Sequence, residues 1–418
     1  MDEETNPARV VVIGAGQAGS QFCFALRRHG FGGEIVLLGE EPHAPYQRPP
    51  LSKAFLKGEM DQRRLLLKPA QAYADSGVEF RPGAVATGID RAARQVVLAS
   101  GERLAYDRLA IATGSRPRAL PAPGGTLGGV LALRGIDDTL RLRDRLDACR
   151  ALIVVGGGYI GLEVAATARA KGIPVTVLER AERVLARVTS PRMSAWFEAL
   201  HRRHGVDVIC DAEIAELSGT GGQVTGAVLA DGRVIPGDTV LVGIGVDAND
   251  GLASEAGLAC DGGILVDADA RTQDPLIYAL GDCTRHPVGP YAGQHRVESV
   301  HNALDQAERA ARHLLGLDPP AYDPPWFWSD QYDAKLQAAG LFNGHDAQLS
   351  HGDPESGRFA LLYFARERLV AVDAVSDPAS FMAARQLLKQ DAAATLAECR
   401  AHSLKELLAL RKNGEPVP

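Results

Sequence analysis

The chain has 418 residues, 46% of them apolar, with a net charge of −7 and a pI near 5.9. That length exceeds what one hydrophobic core supports, so two or three domains are expected. The acidic balance argues against a nucleic-acid surface as the main function, and the longest apolar stretch, residues 151–162, is interrupted by glycine and too short to span a bilayer. The six cysteines (Cys23, Cys149, Cys210, Cys260, Cys283, Cys399) show no CxxC spacing, so reduced thiols are expected rather than a metal site or a dithiol. The opening MDEETNPAR has no secretory or transit pattern, and a cytoplasmic location with no membrane partner is expected.

The first element is a strand at Val10-Val11-Val12-Ile13, followed at once by Gly14-Ala15-Gly16-Gln17-Ala18-Gly19. Helical periodicity then runs to His29, glycines end it, and Glu34 to Leu38 reads as the next strand, closed by Glu40. The proline-rich segment Pro42 to Pro50 lacks backbone donors and is not expected inside a sheet. A hairpin is expected at Gln95–Leu98 and Arg103-Leu104 around Ser100-Gly101, then a short strand at Leu109–Ala112. Leu120 to Gly125 reads as a hinge.

The pattern then repeats. Leu152-Ile153-Val154-Val155 leads into Gly156-Gly157-Gly158-Tyr159-Ile160-Gly161, and Glu179 closes the next strand. In such a fingerprint the first glycine allows a tight turn and the second lets the backbone approach a pyrophosphate. The third lets helix and strand pack closely. One match is weak evidence. Two, each followed about 20 residues later by an acid, point to two dinucleotide sites and to electrons passing between them. Glu179 can accept hydrogen bonds from an adenosine ribose and would repel a 2′-phosphate, so NADH is expected over NADPH at the second site, although Arg180 and Arg187 lie nearby. A later strand, Ile277–Leu280, ends in Gly281-Asp282, where the carboxylate could bind ribityl hydroxyls or cap a helix. An amphipathic helix is expected over about Arg296–Leu315, and after the prolines at 319–325 a separate α+β pattern begins. The tail 413–418 is expected to fray.

Several longer strings then resemble one family. Ala44-Pro45-Tyr46-Gln47-Arg48-Pro49-Pro50-Leu51-Ser52-Lys53, Ala112 to Arg118, GGGYIGLEVAATA from Gly156, Ala279 to Cys283, Arg296 to Ala303 and Pro325 to Tyr332 all resemble segments of bacterial FAD-dependent NADH:ferredoxin reductases. That family serves haem monooxygenases and aromatic-ring dioxygenases, and the resemblance covers essentially the whole chain. It implies an α/β fold of the glutathione-reductase type. A discontinuous Rossmann-like FAD domain (1–118 and 247–325) would carry an inserted Rossmann-like NAD domain (119–246), followed by a C-terminal α+β domain (326–418).

Position by position, Gly14, Gly16, Ala18, Gly19, Glu40, Arg48, Lys53, Val85, Arg134, Asp282 and Val300 would contact FAD. Gly156, Gly158, Ile160, Gly161, Glu179 and Gly245 would hold NADH. The resemblance places Lys53, paired with Glu163, beside the flavin. Tyr159 would fill the nicotinamide space when NADH is absent, and Trp328 would face a 2Fe–2S ferredoxin. The N-terminus of the Arg296 helix would point at the pyrimidine edge of the flavin. Arg309, Arg312, Lys335, Arg385 and Lys389 are candidate cations for an acidic partner. Read without the family, Lys53 is an ordinary solvated lysine and Trp328 an aromatic of the small domain's core.

Three departures stand out: Gln47 in place of the usual aspartate, Ala248 where a proline is usual, and the polar pair Gln294-His295 before Arg296. Disulfide reductases of this architecture place a cysteine pair between the first Rossmann unit and the lysine, and peroxidases and oxidases place one cysteine there. Residues 42–53 contain none, so a disulfide substrate is excluded. The remaining rivals are an NADH-dependent reductase of a small acceptor such as a quinone, and a partner-binding flavoprotein resembling apoptosis-inducing factor. A monomer or weak dimer is expected.

Overall fold

The computed structural model describes residues 9–390 and 393–412. The acidic N-terminal octapeptide and the tail expected to fray lie outside the described residues. The chain forms two compact units, one from residues up to Gln47, Gln62–Arg116 and Asp247–Pro325, the other from Arg48–Asp61, Pro117–Val246 and the residues from Trp326 on. The segment Arg48–Asp61, which the sequence reading keeps with the first domain, packs with the second unit.

The first unit is built on a five-stranded parallel sheet. Its order is Ile277–Ala279, Arg108–Ile111, Arg9–Ile13, Glu34–Gly39, Val78–Pro82. Both faces are covered, so its central strands are apolar runs, while the edge strand Val78–Pro82 is more polar. Val10 and Val12 face a core shared with helices Gln17–Arg28 and Val300–Leu314, through Phe22, Leu26, Ala307 and Ala311. Val11 and Ile13 face a second core shared with Ile89, Val96 and Leu98 of the antiparallel sheet Ala86–Asp90, Gln95–Leu98, Arg103–Ala105. The hairpin expected around Ser100-Gly101 is part of this sheet.

The second unit contains another parallel five-stranded sheet, ordered Val206–Ile209, Val175–Leu178, Leu152–Val155, Thr239–Val242, Val130–Ala132. It also contains an antiparallel sheet ordered Trp326–Gln331, Ala334–Gly340, Arg368–Val375, Arg358–Ala365, Ala347–Asp353. Helix Pro378–Leu388 buries Phe381, Ala384 and Leu387 against that sheet. Among the described residues no helix is long and apolar enough to cross a membrane.

One expected boundary is wrong. The helix placed at about Arg296 begins at Val300. Ser299 is its N-cap, its hydroxyl accepting from the Asn302 backbone N–H at 3.1 Å, and the preceding residues Tyr291–His295 form a strand. Capping by serine stops the helix where polar spacing alone would extend it.

Candidate functional site

The two glycine loops are structural copies. In the first, the Gly14 N–H donates to Leu38 O at 2.9 Å and the Ala112 N–H to Ile13 O at 2.7 Å. In the second, Gly156 donates to Leu178 O at 2.8 Å and Gly243 to Val155 O at 2.7 Å. Each loop crosses the carboxyl end of the neighbouring strand at the point where strand order reverses, the crevice where α/β sheets bind ligands.

Each glycine is required for a different reason. Gly14 and Gly156 have φ of +111° and +103°, and a Cβ there would lie 2.2 Å from Ala112 O and 2.4 Å from Gly243 O. A Cβ on Gly19 or Gly161 would strike the carbonyl of its own loop's first glycine, at 2.0 and 2.3 Å. By contrast, a Cβ on Gly16 or Gly158 would meet nothing within 4 Å. Both middle glycines are N-caps that bring no side-chain cap to their helices, and neither helix has an acid in its first turn. An open space over an uncapped helix N-terminus suits a pyrophosphate. The residues present therefore fit two dinucleotides.

The acids differ. Glu40 is exposed just beyond its strand. Glu179 folds back over its loop, accepting from the Gly157 N–H at 2.7 Å and the Ala181 N–H at 2.8 Å. Gly245 has φ +101° and accepts from the Arg118 N–H at 3.0 Å. Ala18 is buried beneath the first loop, whereas Ile160 is exposed at the second.

Asp282 sits in a single 3₁₀ turn, Gly281–Cys283, and accepts from Ser115 Oγ at 3.2 Å. Val300 is the first residue of its helix, and Val85 is exposed. Arg48 Nη1 donates to the Arg134 carbonyl at 2.7 Å. The departures are accommodated: the Gln47 N–H donates to Leu65 O at 2.8 Å, Ala248 is buried with its carbonyl accepting from Arg116 at 3.2 Å, and Gln294-His295 lie in strand Tyr291–His295, the Gln294 carbonyl accepting from Arg285 at 3.0 Å.

Lys53 follows the 3₁₀ turn Pro49–Ser52 and is not a solvated surface group. Its Nζ lies 2.8 Å from Glu163 Oε2 and donates to Pro49 O at 3.2 Å. Glu163 is 3% exposed, on helix Tyr159–Ala170. Its carboxylate also accepts from Ser52 Oγ at 2.5 Å and Ser329 Oγ at 2.6 Å. A charge this deeply buried is tolerable only with such a donor set.

The strand Trp326–Gln331 supplies one of those donors through its period-two alternation. Phe327, Ser329 and Gln331 point to one face. Phe327 lies 4.7 Å from the Tyr159 ring, Ser329 meets Glu163 four residues further along the helix, and Gln331 meets His201. Trp326 and Trp328 share the other face, their rings 5.4 Å apart. Tyr159 is half-buried, and burial raises its hydroxyl well above the ordinary tyrosine range, with the nearby Asp373, Tyr363 and Glu163 adding to the shift.

The candidate docking cations are not equivalent. Arg309 pairs with Asp305 and Arg312 with Glu308, each at 2.7 Å along one helix. Arg385 lies over the Trp326 ring at 5.3 Å, Lys389 is half-buried and Lys335 is exposed. None of the six cysteines forms a disulfide. Cys283, beside Asp282, is fully buried, and burial pushes its thiol up, away from the thiolate a nucleophile needs.

Sequence reasoning missed Ser52, Ser329, Gln331 and His201 around Glu163. It also missed a second buried group in the same unit, where Asp373 accepts from Thr189 Oγ and from Tyr363 at 2.6 Å.

Two duplicated dinucleotide cradles in one chain define an enzyme that moves electrons between a bound flavin dinucleotide and a nicotinamide dinucleotide. Residues 8–307 match the family described as pyridine nucleotide-disulphide oxidoreductase and residues 326–408 the one described as reductase C-terminal, and the chain belongs to the former family, with FAD and a nicotinamide dinucleotide as its cofactors. It is 44% identical over 379 residues to rhodocoxin reductase of Rhodococcus erythropolis, covering 91% of this chain and 89% of that protein. It is 41% identical over 384 residues to putidaredoxin reductase of Pseudomonas putida, covering 91% of each. The crystal structure of a covalent putidaredoxin reductase–putidaredoxin complex matches with a TM-score of 0.93 at 40% identity, over 97% of this chain and 99% of that one.

Proposed function

We propose that the chain is an NADH:ferredoxin reductase that takes electron pairs from NADH and passes them singly to a 2Fe–2S ferredoxin serving a monooxygenase or ring dioxygenase. The observation that carries this reading is the pair of matched cradles with no cysteine in the segment 42–53 that follows the first Rossmann unit. Where a disulfide reductase would place cysteines, residues 42–53 have none, and Lys53 at their end is held by Glu163 at 2.8 Å. The likeness to rhodocoxin and putidaredoxin reductases over nine-tenths of the chain supports the same reading.

FAD supplies the change from two-electron to one-electron transfer. The protein's contribution is positioning and electrostatics. We assign Gly14, Gly16, Ala18, Gly19, Glu40, Arg48, Val85, Arg134, Asp282 and Val300 to FAD, and Gly156, Gly158, Ile160, Gly161, Glu179 and Gly245 to NADH. Lys53 would stand beside the bound flavin, where its ammonium would favour negative charge on the ring. Tyr159 fills the nicotinamide space until NADH arrives, and Trp328 faces the ferredoxin. The domains divide at 118, 246 and 325, the last two cradling NAD and shielding the flavin, and the protein acts in the cytoplasm as a monomer or weak dimer.

The test is cytochrome c reduction by NADH with and without a panel of 2Fe–2S ferredoxins. Strict dependence on an added ferredoxin is expected. Equal rates without any iron–sulfur protein would instead assign the chain to a small acceptor such as a quinone, and no bleaching of the flavin by NADH would leave only a binding role.

A further inference from the structure

The Glu163 carboxylate is the end point of a longer chain of hydrogen bonds. Ser329 is fully buried, and its Oγ lies 2.6 Å from Glu163 Oε1 and 3.1 Å from Gln331 Nε2. Gln331 is fully buried too, with Oε1 2.8 Å from His201 Nε2. The other ring nitrogen of His201, Nδ1, lies 3.3 Å from the Tyr332 hydroxyl. Tyr332 holds φ +56° and stacks on His204 with ring centroids 3.7 Å apart.

The chemistry of these groups fixes the direction of every hydrogen. A carboxylate accepts only, so the Ser329 hydroxyl hydrogen goes to Glu163. Ser329 has one hydrogen, so Gln331 must donate its N–H to the Ser329 oxygen. Gln331 Oε1 then accepts, which places the His201 hydrogen on Nε2 and leaves Nδ1 to accept from Tyr332. Burial holds the imidazole neutral, its pKa pushed down to about 4. Every donor in the chain points toward Glu163. On the opposite oxygen the same carboxylate meets Lys53 and Ser52.

We infer that Ser329 and Gln331 are positioning residues of the redox centre: they fix the Glu163 carboxylate from behind and through it hold the Lys53 ammonium in place. The inference rests on the proposed placement of Lys53 beside the flavin. It gives the first strand of the C-terminal sheet a part in tuning the flavin, besides any part in docking.

Gln331→Glu is the sharpest test, because it keeps size and shape but removes the N–H that engages Ser329. A carboxylate at 331 accepts the single Ser329 hydrogen and turns it away from Glu163. Ser329→Ala removes that hydrogen outright and provides an independent variant. In flavin-loaded protein, each variant is expected to lower the flavin midpoint by about tenfold in the two-electron equilibrium, about 30 mV. The limiting rate of flavin reduction by NADH should fall about tenfold, with the apparent Kd for NADH within twofold of the parent. A purely structural role would lower flavin content or thermal stability and leave the potential of the loaded fraction unchanged. Two folded, loaded variants with the parental potential and limiting rate would overturn the inference. A parent protein whose flavin NADH cannot reduce would instead overturn the reading on which it rests.

Discussion

Glu179 closes on the backbone of its own glycine loop, one oxygen on the Gly157 N–H at 2.7 Å and the other on the Ala181 N–H at 2.8 Å. The side chain is therefore fixed at the end of its strand, with lone pairs left for ribose hydroxyls. Hydrogen bonds to a charged acceptor contribute about 1.5–3 kcal/mol. Glu179→Ala should raise the KM for NADH by roughly tenfold and narrow the preference over NADPH, since the repulsion of a 2′-phosphate goes with the charge. Steady-state ferricyanide reduction with each nucleotide measures both. An unchanged NADH/NADPH ratio would remove Glu179 from the discrimination.

The glycines predict opposite phenotypes from the same substitution. Gly156→Ala drives a Cβ to 2.4 Å from Gly243 O at a positive φ and should cost more than about 2 kcal/mol of stability. Gly158→Ala meets no atom within 4 Å. Its urea midpoint should match the parent, while NADH binding weakens because the methyl group intrudes where the pyrophosphate approaches. Denaturation and NADH titration of the two variants side by side provide the check.

The parts legible in the sequence were those with a local signature. Strand, glycine loop, helix and acid are contiguous, so both cradles could be read residue by residue. The Lys53–Glu163 pair spans 110 positions and came only from family resemblance. Ser329 and Gln331 stood only inside a string that resembles the family, and nothing local names the carboxylate that Ser329 meets on a distant helix. Asp373 lies in an apolar strand among Val372, Ala374 and Val375, and no sequence pattern marks its partners Thr189 and Tyr363. The Arg296–Glu298 ion pair lies on the approach to the helix that starts at Val300, and its two-residue spacing is not that of a helix. Ser299, the residue that sets the boundary, was there to be read.

Two buried groups predict opposing acid responses. Burial raises the Asp373 carboxyl from 3.8 to about 6, so between those values the folded protein carries the extra proton and this group lowers stability as pH rises. Burial lowers His201 from 6.5 to about 4, so there the unfolded chain carries the extra proton and stability rises with pH. Asp373→Asn removes the first contribution alone. Relative to the parent, the variant should gain roughly 2 kcal/mol on going from pH 4 to pH 7. Urea unfolding at fixed pH values reads this directly, and a constant offset across the range would show that Asp373 does not titrate there.

Charge reversal should separate the candidate docking cations. Lys335 is exposed, so Lys335→Glu should weaken ferredoxin-dependent turnover several-fold at low salt and leave ferricyanide reduction unchanged. Arg309 is paired with Asp305 one turn away, and Arg309→Glu sets two acids against each other on the helix. That change should cost roughly 0.5 kcal/mol of stability whatever its effect on the partner. If Lys335→Glu slows both acceptors equally, Lys335 lies outside the docking surface.

The interleaving of the two units also sets the order of assembly. The parallel sheet of the first unit ends at Ile277–Ala279, and the donor that completes the buried Glu163 site is residue 329. As the chain leaves the ribosome, the strand 108–111 waits for more than 160 residues before its outer neighbour exists. The carboxylate at 163 waits 166 residues for Ser329. Neither unit can complete its sheet or buried site on a short nascent N-terminal fragment, and such non-local pairings fold slowly. Until then a negative charge destined for the interior must stay hydrated, which delays closure of the region that holds Lys53.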